Sequence, residues 1–247
     1  MFEATVSCDG KDAHNIDYIA QKLVSFKSAD KTIVEVVKGG RKYLSVACSS
    51  AYEPLLKDLL LEGVSDVLAL GYKNKYFTKR LDKKEGLLNR TLINVMCLFD
   101  NVKDKRAVLG QIEQTDNISL DGIFNFRVRE LKERWEEVLD LTNAYGVIAS
   151  DDFITTEFLC YLIDSIPPQH GGLTASILED SFVLQDNKGN VIPHVPLITK
   201  ENTNEERLIY NLVCNKAKNI IVLDSQKFLS SNCINLLGKL LNVKIGS

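Results

Sequence analysis

The stretch Leu120–Tyr145, LDGIFNFRVRELKERWEEVLDLTNAY, carries the clearest long-range periodicity of the chain. On a helix advancing about 100° per residue, Phe124, Val128, Leu131, Trp135, Val138, Thr142 and Tyr145 fall on one narrow stripe. Glu130, Glu133, Glu136, Glu137 and Asp140 fall on the other side, and Glu130 precedes Arg134 by four residues, a favourable pair orientation. The pattern predicts one long helix with a core face and a wet face, capped by Ser119 or Asp121.

Helical spacing extends to both sides of this stretch. Upstream, Leu55, Leu56, Leu59, Leu60, Val64, Val67, Leu68 and Tyr72 predict a helix entered through Ser50, with Pro54 tolerable in its first turn and Gly63 and Gly71 as places to bend or end it. Leu87 to Phe99 and Arg106 to Ile112 continue the pattern across a polar break at Asp100 to Asp104, and a turn at Asp116 and Asn117 leads into the long helix. Downstream, Asp151 to Ile166 predicts a further helix closed by Pro167 and Pro168. Residues 51–168 therefore read as a helical region.

The two ends follow a different period. Phe2, Ala4, Val6 and Cys8 alternate with polar residues as a half-buried strand does, and a turn at Asp9 and Gly10 precedes a helix capped by Asn15. Thr32–Val37 and Arg41–Cys48, separated by Lys38, Gly39 and Gly40, predict a hairpin. Residues 1–50 are thus a small β-α-β-β unit. After the prolines, 169–247 reads as an α/β layer. Strands Leu173–Leu178 and Phe182–Gln185 are followed by a turn at Asp186–Gly189 and by Val191–Val195. Thr203 with Glu206 forms a capping box. The apolar run Asn219–Leu223, a helix Phe228–Leu241 and a strand Val243–Ile245 then predict adjacent parallel strands. The fold class is α+β.

Composition narrows the function classes. Of 247 residues, 45% are apolar and 26% charged, ordinary values for a globular protein that folds without staples. A net charge of −3 gives no general attraction to phosphates or to an anionic bilayer. The six cysteines, Cys8, Cys48, Cys97, Cys160, Cys214 and Cys233, contain no C-x-x-C pair and are expected as free thiols, mostly buried. No apolar run approaches the roughly 20 residues needed to span a bilayer. No secretory signal is visible at the amino terminus, so the expected compartment is the cytoplasm.

Four stretches are candidate sites. Arg127 and Arg134 share one flank of the apolar stripe, beside Phe126; because Arg129 and Lys132 point elsewhere, no basic recognition stripe forms, and Arg127 is expected in an ion pair or carbonyl contact. Tyr72, Tyr76 and Phe77 interleaved with Lys73, Lys75, Lys79, Arg80, Lys83 and Lys84 are the best nucleic-acid candidate, against a solvated helix end as the alternative. His170, Gly171 and Gly172 have the letters of an oxyanion loop without any G-x-S-x-G nucleophile, so a turn is expected there. Asp224, at the carboxyl end of an apolar strand, is where a small-molecule sensor or enzyme site would sit, against a helix cap before Phe228. His14, His170 and His194 have no partners at metal-ligand spacing. No cofactor, metal or catalytic grouping is expected, which leaves a non-enzymatic protein with a protein partner as the leading expectation.

The residues Gly122, Ile123, Phe124, Asn125, Phe126, Arg127 and Val128 resemble the YtxC-like family of sporulation proteins of endospore-forming bacteria, whose members carry G-F-I-N-F-R-L at the start of a long charged helix. The order of elements from about Leu87 to the terminus is also similar. The resemblance implies a cytoplasmic protein of a spore-forming bacterium without an established catalytic activity, and it assigns no catalytic residues.

Overall fold

The computed structural model describes residues 1–26, 30–81, 86–112, 115–145, 147, 152–199 and 201–246. In chain order the elements of the first half are β1 (Phe2–Asp9), α1 (Ala13–Val24), β2 (Lys31–Lys38), β3 (Arg41–Cys48), α2 (Glu53–Asp66), a π-helical segment (Val67–Tyr72), α3 (Lys73–Leu81), α4 (Leu87–Leu98) and α5 (Asn101–Ile112). The second half adds β4 (Asn117–Ser119), α6 (Leu120–Phe126), α7 (Arg129–Ala144), α8 (Asp152–Asp164), β5 (Leu173–Ile177), β6 (Phe182–Asp186) and β7 (Val191–Ile192). It closes with α9 (Asn204–Cys214), β8 (Ile220–Leu223), α10 (Ser231–Leu240) and β9 (Val243–Gly246). The class is α+β, as expected.

These elements group into two compact units that interleave along the chain. The first comprises 1–76, 100–137 and 198–200; the second comprises 77–99, 138–197 and 201–247. The units cross the segment boundaries at 50 and 168 expected from the sequence. Local periodicity finds helices and strands, but which of them share a core depends on contacts far apart in the chain.

In the first unit the sheet runs β2-β3-β1-β4. The hairpin register pairs Lys38 with Arg41, which leaves Gly39 and Gly40 as a two-residue turn with φ of +59° and +76°. Such a turn needs positive φ at both central residues, and glycine takes it without a Cβ clash. Ala4, Val6, Cys8, Leu44 and Val46 share the buried face of the sheet, and α1 packs on it through Ile16, Ile19 and Leu23. Asn15 is not the cap of α1. It lies buried inside the helix, two residues past the start. The turn expected at Asn117 is instead the start of β4, which pairs in parallel with β1.

The helix from Glu53 does not end at Gly63 or Gly71. It widens into the π-helical segment, where a Cβ on Gly71 would come within 3.0 Å of Asn15 Oδ1 and of Ile198 Cγ2. Glycine there lets those two side chains close on the helix. The polar break expected at Asp100–Asp104 contracts to Phe99 and Asp100. Asp104 itself sits in α5, buried to 1% exposure.

In the second unit the sheet runs β7-β6-β5-β8-β9, antiparallel from β7 to β5 and parallel from β5 to β9. The expected parallel pairing of Ile220–Leu223 with the terminal strand is present. The turn after β6 forms on Asp186, whose carboxylate accepts from the Lys188 and Asn190 N–H groups, while Gly189 takes a φ of +82°. The capping box is complete: Thr203 Oγ1 accepts from Glu206 N–H at 3.2 Å, and Glu206 returns to Thr203 N–H at 2.8 Å. Glu206 also pairs with Arg90 of α4 at 3.1 Å, and α4 packs against α8, α9 and α10. Among the described residues, no helix is long and apolar enough to cross a membrane.

Candidate functional site

The long helix expected over Leu120–Tyr145 is two helices with a break at Arg127 and Val128. Ser119 caps the first by accepting from Gly122 N–H at 3.3 Å, and Arg127 N–H closes its last turn on Ile123 at 2.8 Å. Asp121, the other expected cap, instead holds Arg41 through both oxygens at 3.0 and 2.9 Å. Burial would raise the Asp121 carboxyl, but the Arg41 hydrogen bonds outweigh it and hold the group below its usual range. The second helix restarts from the Val128 carbonyl, which accepts from Lys132 N–H at 3.0 Å. Val128, Leu131, Trp135, Val138 and Thr142 are buried as the stripe requires, whereas Tyr145 is half exposed.

The break turns two residues outward. Phe126 is 85% exposed, exceeded among the described large hydrophobic residues only by the terminal Met1. Next to it Arg127 is exposed and has no hydrogen-bond or ion-pair partner for its side chain among the described residues. The ion pair expected of Arg127 is found at Arg134, whose guanidinium lies 3.6 Å from Asp104. Beside these residues, α5 and α7 enclose a groove of about 680 Å³. It is lined by Ala107 and Gln111 of α5, by the buried Val128 and Leu131, and by charged residues that include Arg127, Glu130, Arg134 and Glu137.

The junction stands on a rigid base. Phe124 packs against Tyr72 at 4.8 Å and Trp135 at 6.4 Å, and the Lys132 ammonium lies over its ring at 4.2 Å. Partial burial lowers the Lys132 pKa. Beneath them, Lys73 Nζ and Trp135 Nε1 both donate to Asp104 Oδ2, at 2.8 and 2.9 Å. Lys73 is fully buried. Its ammonium is thus held directly against a carboxylate that is itself buried.

This base accounts for much of the basic and aromatic stretch that made a nucleic-acid candidate. Tyr72 and Phe77 are buried, so neither offers a face to a base, and Tyr76 donates its hydroxyl to Glu136. Lys73 is occupied as described, and Lys75 pairs with Asp12 at 2.7 Å. Lys79 and Arg80 are exposed in the last turn of α3, where the helix dipole favours cations. Lys83 and Lys84 lie outside the described residues.

The other candidates resolve into structural contacts. Both Asp224 oxygens accept backbone N–H groups, from Phe228 at 2.9 Å and Leu229 at 3.0 Å, so the carboxylate fastens the loop after β8. It does not cap α10. That role falls to Ser230, which accepts from Cys233 N–H at 3.1 Å. His170 is not in a turn; it forms a parallel bridge with Ala217. His194 stacks on Phe182 at 4.3 Å. Among the described residues no group of three or more His, Cys, Asp or Glu side chains is placed to hold a metal ion. The six cysteines are free thiols, four of them buried. Burial pushes the Cys8 thiol up to about 11 and the Cys233 thiol up to about 12, far from a nucleophile's range.

Comparison with protein-family models, with characterised proteins and with solved structures finds no match to the chain. Sequence reasoning missed the α5 side of the groove and the Lys73, Asp104 and Trp135 cluster. Asp104 stands in the run Asp100–Arg106, DNVKDKR, which reads as a solvated segment. Its two buried donors are each 31 residues away, so nothing local marks it.

Proposed function

We propose that this chain is a non-enzymatic protein that acts through protein–protein contacts in the cytoplasm of a sporulating bacterium, with the α6–α7 junction as its contact surface. The observation that carries this is Phe126, left 85% exposed at a helix break whose neighbouring aromatics, Phe124 and Trp135, are packed inward. Aromatic residues, phenylalanine among them, and arginine are the residue types enriched at protein interfaces relative to the rest of the surface. The packed aromatics under the junction position the backbone that carries Phe126 and Arg127, which lowers the ordering cost of association. The sporulation setting is supported by the resemblance at Gly122–Val128.

Affinity capture from sporulating cells tests this directly. The native chain is expected to recover a stoichiometric protein partner, and Phe126→Ala to lose it while unfolding at the same temperature as the parent. Recovery of no partner under several salt and growth conditions refutes the proposal.

A further inference from the structure

We propose that β2 is the seam of a symmetric dimer, in which the outer edge of this strand pairs antiparallel with the same edge of a second copy. In the order β2-β3-β1-β4 this strand ends the sheet on the side away from β4, the strand that leads into α6, so the seam is a different surface from the α6–α7 junction. β2 matches β3 without interruption from the Lys31–Cys48 pair to the Lys38–Arg41 pair, and it carries neither a proline nor a bulge, two of the devices that keep an edge from being extended. Its charges are turned aside. Lys31 reaches back to the carbonyls of Leu23 and Val24 at 2.8 and 3.2 Å, and Glu35 pairs with Lys42 at 2.7 Å. Val34, Val36 and Val37 meanwhile stand 47%, 48% and 72% exposed.

The alternation of backbone bonds across the sheet identifies the open groups. Thr5 N–H donates to Asp116 on the β4 side of β1, so the Thr5–Ser45 pair exchanges no bonds and Ser45 turns its own N–H and C=O toward β2. Its partner there is Val34, which is therefore bonded to β3, as are Thr32, Val36 and Lys38. Lys31, Ile33, Glu35 and Val37 point theirs outward. Donors and acceptors open at every second residue are met by another extended strand. A second copy supplies that strand across a two-fold axis at Val34, which lays almost the whole of β2 against itself. Ile33 then exchanges bonds with Glu35 of the second copy, Val34 meets Val34, Val36 meets Thr32, and the exposed Lys38 meets the exposed Asp30, the unlike pairs each forming twice. No like charges stand directly opposite in this register, whereas an axis at Glu35 would oppose two carboxylates.

Sedimentation equilibrium of the full chain, from low micromolar to near-millimolar concentration, measures the dimer, and the wild type is expected to dimerise in that range. Glu35→Pro removes an outward N–H while leaving every bond between β2 and β3 in place, so it should weaken dimerisation about tenfold or more. Glu35→Ala, which keeps the N–H, should dimerise like the wild type. The register is read by oxidation of single-cysteine additions. Val34→Cys should form a disulfide-linked dimer, because opposed residues at the axis bring their Cα atoms to about 4.5 Å. Val37→Cys should not, although Val37 is the more exposed, because the two copies of that residue lie about 20 Å apart along the seam. Wild-type chain that stays monomeric throughout overturns the inference. So does a dimer that Glu35→Pro and Glu35→Ala affect alike, or one that cross-links through Val37→Cys as readily as through Val34→Cys. These results are separate from the capture experiment, which reads a foreign partner at Phe126.

Discussion

Replacing Asp104 with Ala should be among the most damaging single changes to the first unit, and worse than replacing the lysine that it holds. The substitution removes the carboxylate to which the fully buried Lys73 ammonium donates at 2.8 Å. Breaking a buried ion pair by removing one member costs about 3–5 kcal/mol. It also removes the acceptor that the Trp135 indole N–H meets at 2.9 Å, at about 1–3 kcal/mol more. Lys73→Met is milder, near the lower bound of about 3 kcal/mol, because Asp104 keeps the Trp135 hydrogen bond and the Arg134 guanidinium at 3.6 Å. The double variant Lys73→Met, Asp104→Leu removes both buried charges together, so it should be more stable than Asp104→Ala alone. Urea unfolding followed by tryptophan fluorescence is the assay, since the chain has a single tryptophan and it sits on this carboxylate. With a slope of about 1–3 kcal/mol/M, the Lys73→Met midpoint should fall by about 1–3 M. Asp104→Ala costing no more than Lys73→Met, or the double variant faring worse than either single one, would refute the account of the cluster.

Two further expectations concern charge elsewhere. Burial raises the Asp66 carboxyl, but hydrogen bonds from Lys105, Lys22 and Tyr18 reverse this and leave its pKa below the ordinary value. A carboxyl lowered on folding adds stability that is present above its unfolded pKa of about 3.9 and is lost as pH falls through the folded value. Stability should therefore drop as pH is lowered from about 5 toward 3, and Asp66→Asn should flatten that slope; an unchanged slope in the variant refutes the assignment. The full chain should pass a heparin or DNA column unretained at low salt, because the aromatics beside the lysines of α3 are buried or bonded. Retention that disappears in the Lys79→Glu, Arg80→Glu, Lys83→Glu, Lys84→Glu variant would restore the nucleic-acid alternative.

What the sequence determined by itself is what neighbouring residues settle among themselves. Alternation along Phe2–Cys8 gave β1 its buried face, two glycines gave the hairpin a turn that requires positive φ, and Thr203 with Glu206 closed a capping box within four residues. The turn on Asp186 and the parallel pair at the carboxyl terminus belong to the same class. Tertiary structure alone decided the rest. The stripe from Phe124 to Thr142 keeps its spacing across Arg127 and Val128, so periodicity cannot register that the helix stops and restarts there. Three residues at Asn117–Ser119 are too few to declare a strand until β1 lies beside them to receive their hydrogen bonds. Asp104 reads as solvated until Lys73 and Trp135, each 31 residues away, enclose it. The exposure of Phe126 and the groove lined by α5 and α7 belong to the same class, because a side chain becomes surface or core only when distant segments have taken their places.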